Sequence, residues 1–214
     1  DKMWYTFPIG ENFTATVGPK IENYYMLAAT PSVYKPGVLK AFKLGGHGVA
    51  FGASTSTGAG LTYKADNGFA IGTTFNSKKA ASTGMLNDED QNKINTQVAY
   101  TKDNYHVSAT YTTQNAWDSW NYYSTADLNS GVSALTASAD GIALRGWWRP
   151  DETGTATPSI SVGYDTVSIT GTNVTKGSGY FVGLNWADMF QPSDRIGFAA
   201  VSYTHLRAHE TTSH

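Results

Sequence analysis

The chain has 214 residues, a formal net charge of -2 and only 15% charged residues, against about 25% in ordinary globular chains. The near-neutral balance excludes a strongly basic nucleic-acid binder, and the absence of cysteine excludes disulfide scaffolds, thiolate zinc sites and thiol catalysis. With 22 glycines and 13 tyrosines among many Ser, Thr and Asn, the composition favours strands over helices.

Alternation of apolar and polar residues predicts strands at 2–8, 12–18, 58–64, 69–76, 93–101, 105–112, 141–149, 159–166, 179–186 and 195–201. The stretch "TQVAYTKDNYHVSATYT" (96–112) shows the pattern most clearly, with Lys102-Asp103-Asn104 as the turn between two strands. Residues 24–34, "YYMLAATPSVY", read as a loop that holds one short helical turn. No run approaches the ~18 apolar residues of a spanning helix, but a spanning strand needs only about 9–11 residues, half of them apolar. The sequence opens at Asp1 without an initiator Met, and a mature or truncated piece is expected.

The connections predicted between these strands are 9–11, 19–57, 65–68, 77–92, 102–104, 113–140, 150–158, 167–178 and 187–194. Short and long alternate, which puts the short turns at one end of an up-and-down sheet and the long loops at the other. The apolar faces carry Phe7, Phe13, Tyr63, Phe69, Tyr100, Tyr105, Trp148 and Trp186 near the short turns. They carry Phe75, Tyr111, Tyr164 and Tyr180 near the long loops, with aliphatic and small residues between. Two rows of amphipathic rings flanking an aliphatic band are the pattern of a membrane-interface girdle. The opposite faces offer Thr62, Lys64, Asn95, Gln97, Thr101, His106, Ser108, Thr110, Arg145, Ser159, Ser161 and Asn185, a lining suited to water. The fold class expected is therefore all-β: an antiparallel up-and-down transmembrane β-barrel, present in part as about ten strands.

Four stretches carry a family resemblance: "NFTATVGPKIENYYMLAATPSVY" (12–34), "GAGLTYKADNGFAIGTTF" (58–75), "GWWRPDETGTATPSISVGYD" (146–165) and "FVGLNWADMF" (181–190). They resemble cyanobacterial outer-membrane porins, relatives of the carbohydrate-selective porins that also carry an S-layer-homology domain. The resemblance implies an internal fragment of a barrel of about sixteen strands. It implies passive diffusion of small hydrophilic solutes and ions, with outer-membrane lipid around the wall, ions or sugars in transit, a homotrimer, no catalytic residue and no cofactor.

Candidate chemistry centres on the longest connection. Segment 19–57 carries Lys20, Lys35, Lys40, Lys43 and His47 against Glu22, and is the candidate constriction loop. With Lys64, His106, Arg145 and Arg149 on the facing wall, these residues are candidates to line or constrict the pore. The basic excess predicts anion preference. Other signals are weaker. "NDEDQN" (87–92) lacks EF-hand spacing and reads as a solvated loop tip. "GASTSTGAG" (52–60) lacks the Lys of a phosphate loop, and no Gly-x-Ser-x-Gly elbow occurs. His205, His209 and His214 crowd into residues 202–214, where "SYTHLRAHET" resembles translated adapter sequence. That segment is expected to be a non-native tail holding no metal, and the barrel to occupy 1–201. Trp117, Trp120, Tyr122 and Tyr123 cluster in the loop 113–140 and support an alternative reading. In it, the chain is a soluble or surface-exposed β-sandwich, an adhesive module that binds carbohydrate or another surface through Trp117 and Trp120.

Overall fold

The computed structural model describes residues 1–34, 44, 50, 51, 55–117, 137–171 and 174–207. Ten strands follow one another: β1 (Met3–Ile9), β2 (Phe13–Glu22), β3 (Thr55–Lys64), β4 (Phe69–Ser77), β5 (Asn92–Lys102), β6 (Tyr105–Asn115), β7 (Ser138–Trp148), β8 (Ser159–Thr170), β9 (Val174–Ala187) and β10 (Arg195–Arg207). They form one sheet in chain order, each strand antiparallel to its neighbours. β1 and β10 do not pair with each other among the described residues, so the sheet is open. Among the described residues the helical elements are a 3-10 turn at Asn23–Met26 and an α-turn at Ala80–Thr83.

Local chemistry explains the turns. Asp103 sits at φ 45° in the two-residue turn between β5 and β6, a conformation that Asp tolerates better than most residues. Gly68, at φ 95° before β4, admits no side chain, because a Cβ there would lie 2.3 Å from the Thr101 carbonyl oxygen.

Two expectations about the connections need correction. The segment between β8 and β9 is only 171–173, where a long loop at 167–178 was expected. The segment between β7 and β8, 149–158, is longer than it. Short and long therefore do not alternate strictly at these last hairpins. The cause is a change of hydrophobic phase. Ile169 and Val174 turn to the inner face and pack with Ala139 and Val167, so the strands continue past the point where the apolar-outward pattern ends. β10 likewise pairs with β9 beyond Val201, through Ser202↔Tyr180 to Arg207↔Val174.

The two faces of the sheet have inverted polarity. Val98, Leu144 and Val162 are 41%, 47% and 46% exposed, whereas Asn95, Gln97, Thr110 and Thr112 on the other face are fully buried. Burial on the polar side is supplied by the long connection after β2. Ala28 packs on Ala70 and Ala99, and Ala50 and Phe51 pack on Ala143 with Leu27 and Leu44.

Candidate functional site: the polar inner wall and its strap

The first residues of the long connection cross the polar face as a strap. Met26 lies over Gly58 and Gly60 of β3, where a Cβ would meet its side chain at 3.1 and 2.8 Å. The Ala29 N–H donates to Gln97 Oε1 of β5 at 2.8 Å. The indole N–H of Trp147 on β7 donates to the Thr30 carbonyl at 3.0 Å, and the Val33 N–H donates to Ser161 Oγ of β8 at 3.1 Å. Tyr34 ends the strap edge-on to Phe181 of β9. One short segment thus touches strands from β3 to β9, with glycines and alanines below it to permit the close approach.

Arg145 is the most heavily engaged wall residue. Its Nη2 donates to both carboxylate oxygens of Asp165 at 2.9 Å. Nη1 donates to the Leu144 carbonyl at 2.8 Å and the Tyr164 carbonyl at 3.3 Å. Nε donates to the Leu44 carbonyl of the long connection at 3.2 Å, and the guanidinium lies 4.6 Å from the centre of the Phe51 ring. A buried, paired guanidinium of this kind ties the connection to the wall and offers little net charge to a passing ion. Asp165 did not stand out in the sequence. The available signal was that both charges have inward parity on neighbouring strands, one step apart diagonally in the register Ala143↔Asp165 and Arg145↔Gly163.

His106 is also buried. Its Nδ1 lies 2.6 Å from Thr101 Oγ1 and its Nε2 2.9 Å from Ser108 Oγ, while its ring stacks on Trp147 at 5.4 Å. Lys64 and Arg149 are exposed at the short-turn end of the sheet. Arg149 donates to the Asp103 carbonyl at 3.1 Å and lies 5.7 Å from the centre of the Trp147 ring. Lys20 is exposed at the opposite end of β2, paired in register with Met3 on the outer edge strand. Lys35, Lys40, Lys43 and His47 lie outside the described residues. The structure therefore brings His106 and Arg149 together on Trp147, sets Arg145 against Asp165 and the long connection, and leaves Lys20 apart.

Beyond β4, Lys78 lies 4.8 Å from the centre of the Trp117 ring, and burial lowers its pKa to about 8. Trp117 is fully buried. Trp120, Tyr122, Tyr123, His209 and His214 are outside the described residues. No cluster of three potential metal-ligating side chains occurs among the described residues.

On the outer face the expected aromatic rows can be traced through the register. Phe13, Phe69, Tyr105, Tyr111, Trp148, Tyr164 and Tyr180 are exposed, and Phe7, Tyr63, Phe75, Tyr100 and Trp186 are half-buried. Several rings lie against neighbours: Phe13 against Tyr63, and Tyr100 against Tyr105. Polar tips are anchored, Tyr111 Oη to Asp140 at 2.8 Å and the Trp186 indole N–H to the Ala156 carbonyl at 2.8 Å. The row at the turn end descends across the sheet. Ile9, Phe13 and Tyr63 are directly paired; Tyr63 pairs with Ile71, so the next ring, Phe69, sits two residues nearer the turns. The same two-residue step recurs from Tyr100 to Tyr105 and from Ile160 to Trp186. Three such steps over nine strand spacings set the strands about 25° from the perpendicular to the ring row, taking ~3.3 Å per residue and ~4.8 Å per strand.

No protein-family model matches the chain, and no curated protein matches it.

Proposed function

We propose that this sheet is part of the wall of an outer-membrane β-barrel porin through which small hydrophilic solutes and ions diffuse passively. The observation that carries the reading is the inverted polarity. Aliphatic side chains between two aromatic rows are exposed, and amides and hydroxyls are turned inward. In water this arrangement leaves the hydrophobic effect unused across a whole sheet face. In a bilayer the same face is solvated by acyl chains, and the aromatic tips reach the headgroup level. The slope of the ring row supports the reading, because a sheet curls into a barrel only when its strands tilt against the membrane normal. The likeness of four segments to cyanobacterial porins points the same way.

Transport in this reading has no covalent step. Hydroxyl and amide groups of the wall exchange for the hydration partners of the solute, and the strap narrows the passage. Arg145 contributes a fixed, neutralised pair rather than a free cation. Selectivity between ions then rests on Lys64 and Arg149 at the turn end, together with the lysines of the long connection, and anion preference is the expected sign. The test is reconstitution into a planar bilayer under a salt gradient. The expected result is stepwise conductance with a reversal potential on the anion side. A chain that is monodisperse without detergent and leaves bilayers unchanged would refute the porin reading; cation preference would refute the selectivity alone.

A further inference from the structure

Beneath the strap, at the turn end, lies a cavity of about 320 Å³. Its walls are the strap residues Ala28 to Thr30, the β3–β4 turn with Ala65 and Gly68, Ala70 of β4, and Thr101 with Trp147 across from them. The lining is mostly methyl and methylene surface. Lys64 is its one charged side chain, and no carboxylate lines it. Among the described residues the Lys64 ammonium makes no ion pair.

Two of the polar groups that would suit a sugar are already committed. The Thr101 hydroxyl is held by His106 Nδ1 at 2.6 Å, and the Trp147 indole N–H by the Thr30 carbonyl at 3.0 Å. The Trp147 ring already lies against the His106 ring and the Arg149 guanidinium, so a hydroxylated ring stacking there competes with these neighbours. A hydrated inorganic anion gains little from alanine walls, since burying it without hydrogen-bond partners costs more than one exposed ammonium returns. A molecule with a short apolar body and one negative end satisfies both parts of the lining.

We propose that this cavity is a binding site for a small organic monoanion, a short-chain carboxylate whose charged end meets Lys64 and whose body lies against Ala28, Ala65 and Ala70. The inference rests on reading the inner face as a solvent-filled passage, and it makes the turn end a point where such solutes pause on their way through. A second cation, Arg149 on the Trp147 ring, raises the local potential for the same sign of charge.

The experiment titrates the full chain in detergent micelles with sodium butyrate, 1-butanol or sodium chloride. The readouts are the Trp147 indole N–H resonance and calorimetry. Butyrate is expected to bind saturably and about fivefold more tightly than butanol, the upper scale of an ion pair with one exposed ammonium. Lys64→Gln is expected to remove that advantage, and Lys64→Arg to keep most of it, with both variants matching the native circular dichroism spectrum. Equal binding of butyrate and butanol, unchanged butyrate binding by Lys64→Gln, or no saturable butyrate binding would each overturn the site. Conductance measured on the same preparation separates the two proposals. A pore that conducts without binding butyrate loses only this site, and a chain that binds butyrate without conducting loses only the pore.

Discussion

Arg145 and Asp165 show how one ion pair holds several pieces of backbone in place. The guanidinium reaches a carboxylate on β8, carbonyls of two strands and the Leu44 carbonyl of the long connection. Replacing Arg145 by Met leaves the Asp165 carboxylate buried and unpaired. The expected cost is about 3–5 kcal/mol, read by denaturant unfolding in detergent. Most of it should return in the Arg145→Met, Asp165→Leu double variant, and a cost equal to the sum of the singles would show that the pair is not coupled. A second residue, Asp194, controls the turn before β10. Its carboxylate accepts the N–H groups of Phe190, Gln191 and Met189, which holds its pKa below the ordinary 3.8. A depressed carboxylate stabilises the folded turn above pH 3.8 and loses that contribution as pH falls through the depressed value. Amide exchange of Phe190 should therefore be constant above pH 3.8, after correction for the intrinsic rate, and lose protection below it. Asp194→Asn should lack this acid transition. Single charges of this kind are hard to weigh from sequence. Arg145 stands out there as a free lumen cation because nothing local marks its partner twenty positions away.

At the scale of the element, the ten strands were legible because their solvent requirements alternate residue by residue, and each observed strand overlaps its expected range. What misleads is a change of phase within a strand. β2 continues from Gly18 through an irregular register to a buried Ile21, and β8 turns Val167 and Ile169 inward, so a pattern that assumes apolar-outward throughout stops early. The path of the strap had no such signal. Ala28 and Ala29 are as ordinary in a loop as in a packed layer, and only the small residues opposite, such as Gly60 and Gly72, mark where the strap comes close to the wall. Gln97→Leu removes the acceptor of the Ala29 amide, which should then exchange about tenfold faster, the scale of one hydrogen bond. The Val33 amide, held separately by Ser161, should keep its rate. Equal acceleration at both amides would mean that the strap moves as one rigid piece rather than hinging between these two of its anchors.

For the whole molecule, the orientation of the sheet is decided by which face tolerates charge. Leu144 lies in the middle of the exposed aliphatic band. Leu144→Lys should cost roughly 2–4 kcal/mol in lipid, measured by reversible unfolding from bilayers, as for a cation at the midplane of a barrel wall. In a protein with that face in water the same change would be nearly neutral. The overall architecture was readable because it follows from a two-residue period repeated ten times. What lies beyond its edges was not, because β1 and β10 carry no residues that name a further neighbour. The strap adds a constraint of order in time. Val33 leaves the ribosome soon after β2, yet its anchor Ser161 comes 128 positions later. Such remote pairing is slow to form, since the chain loses loop entropy before any contact repays it. The early segment must wait, unsatisfied, while most of the hairpins register beside one another. Seating of the strap is thus expected after the hairpins have paired, and a chaperone that holds 23–34 apart should stall assembly at a paired sheet whose polar face is still uncovered.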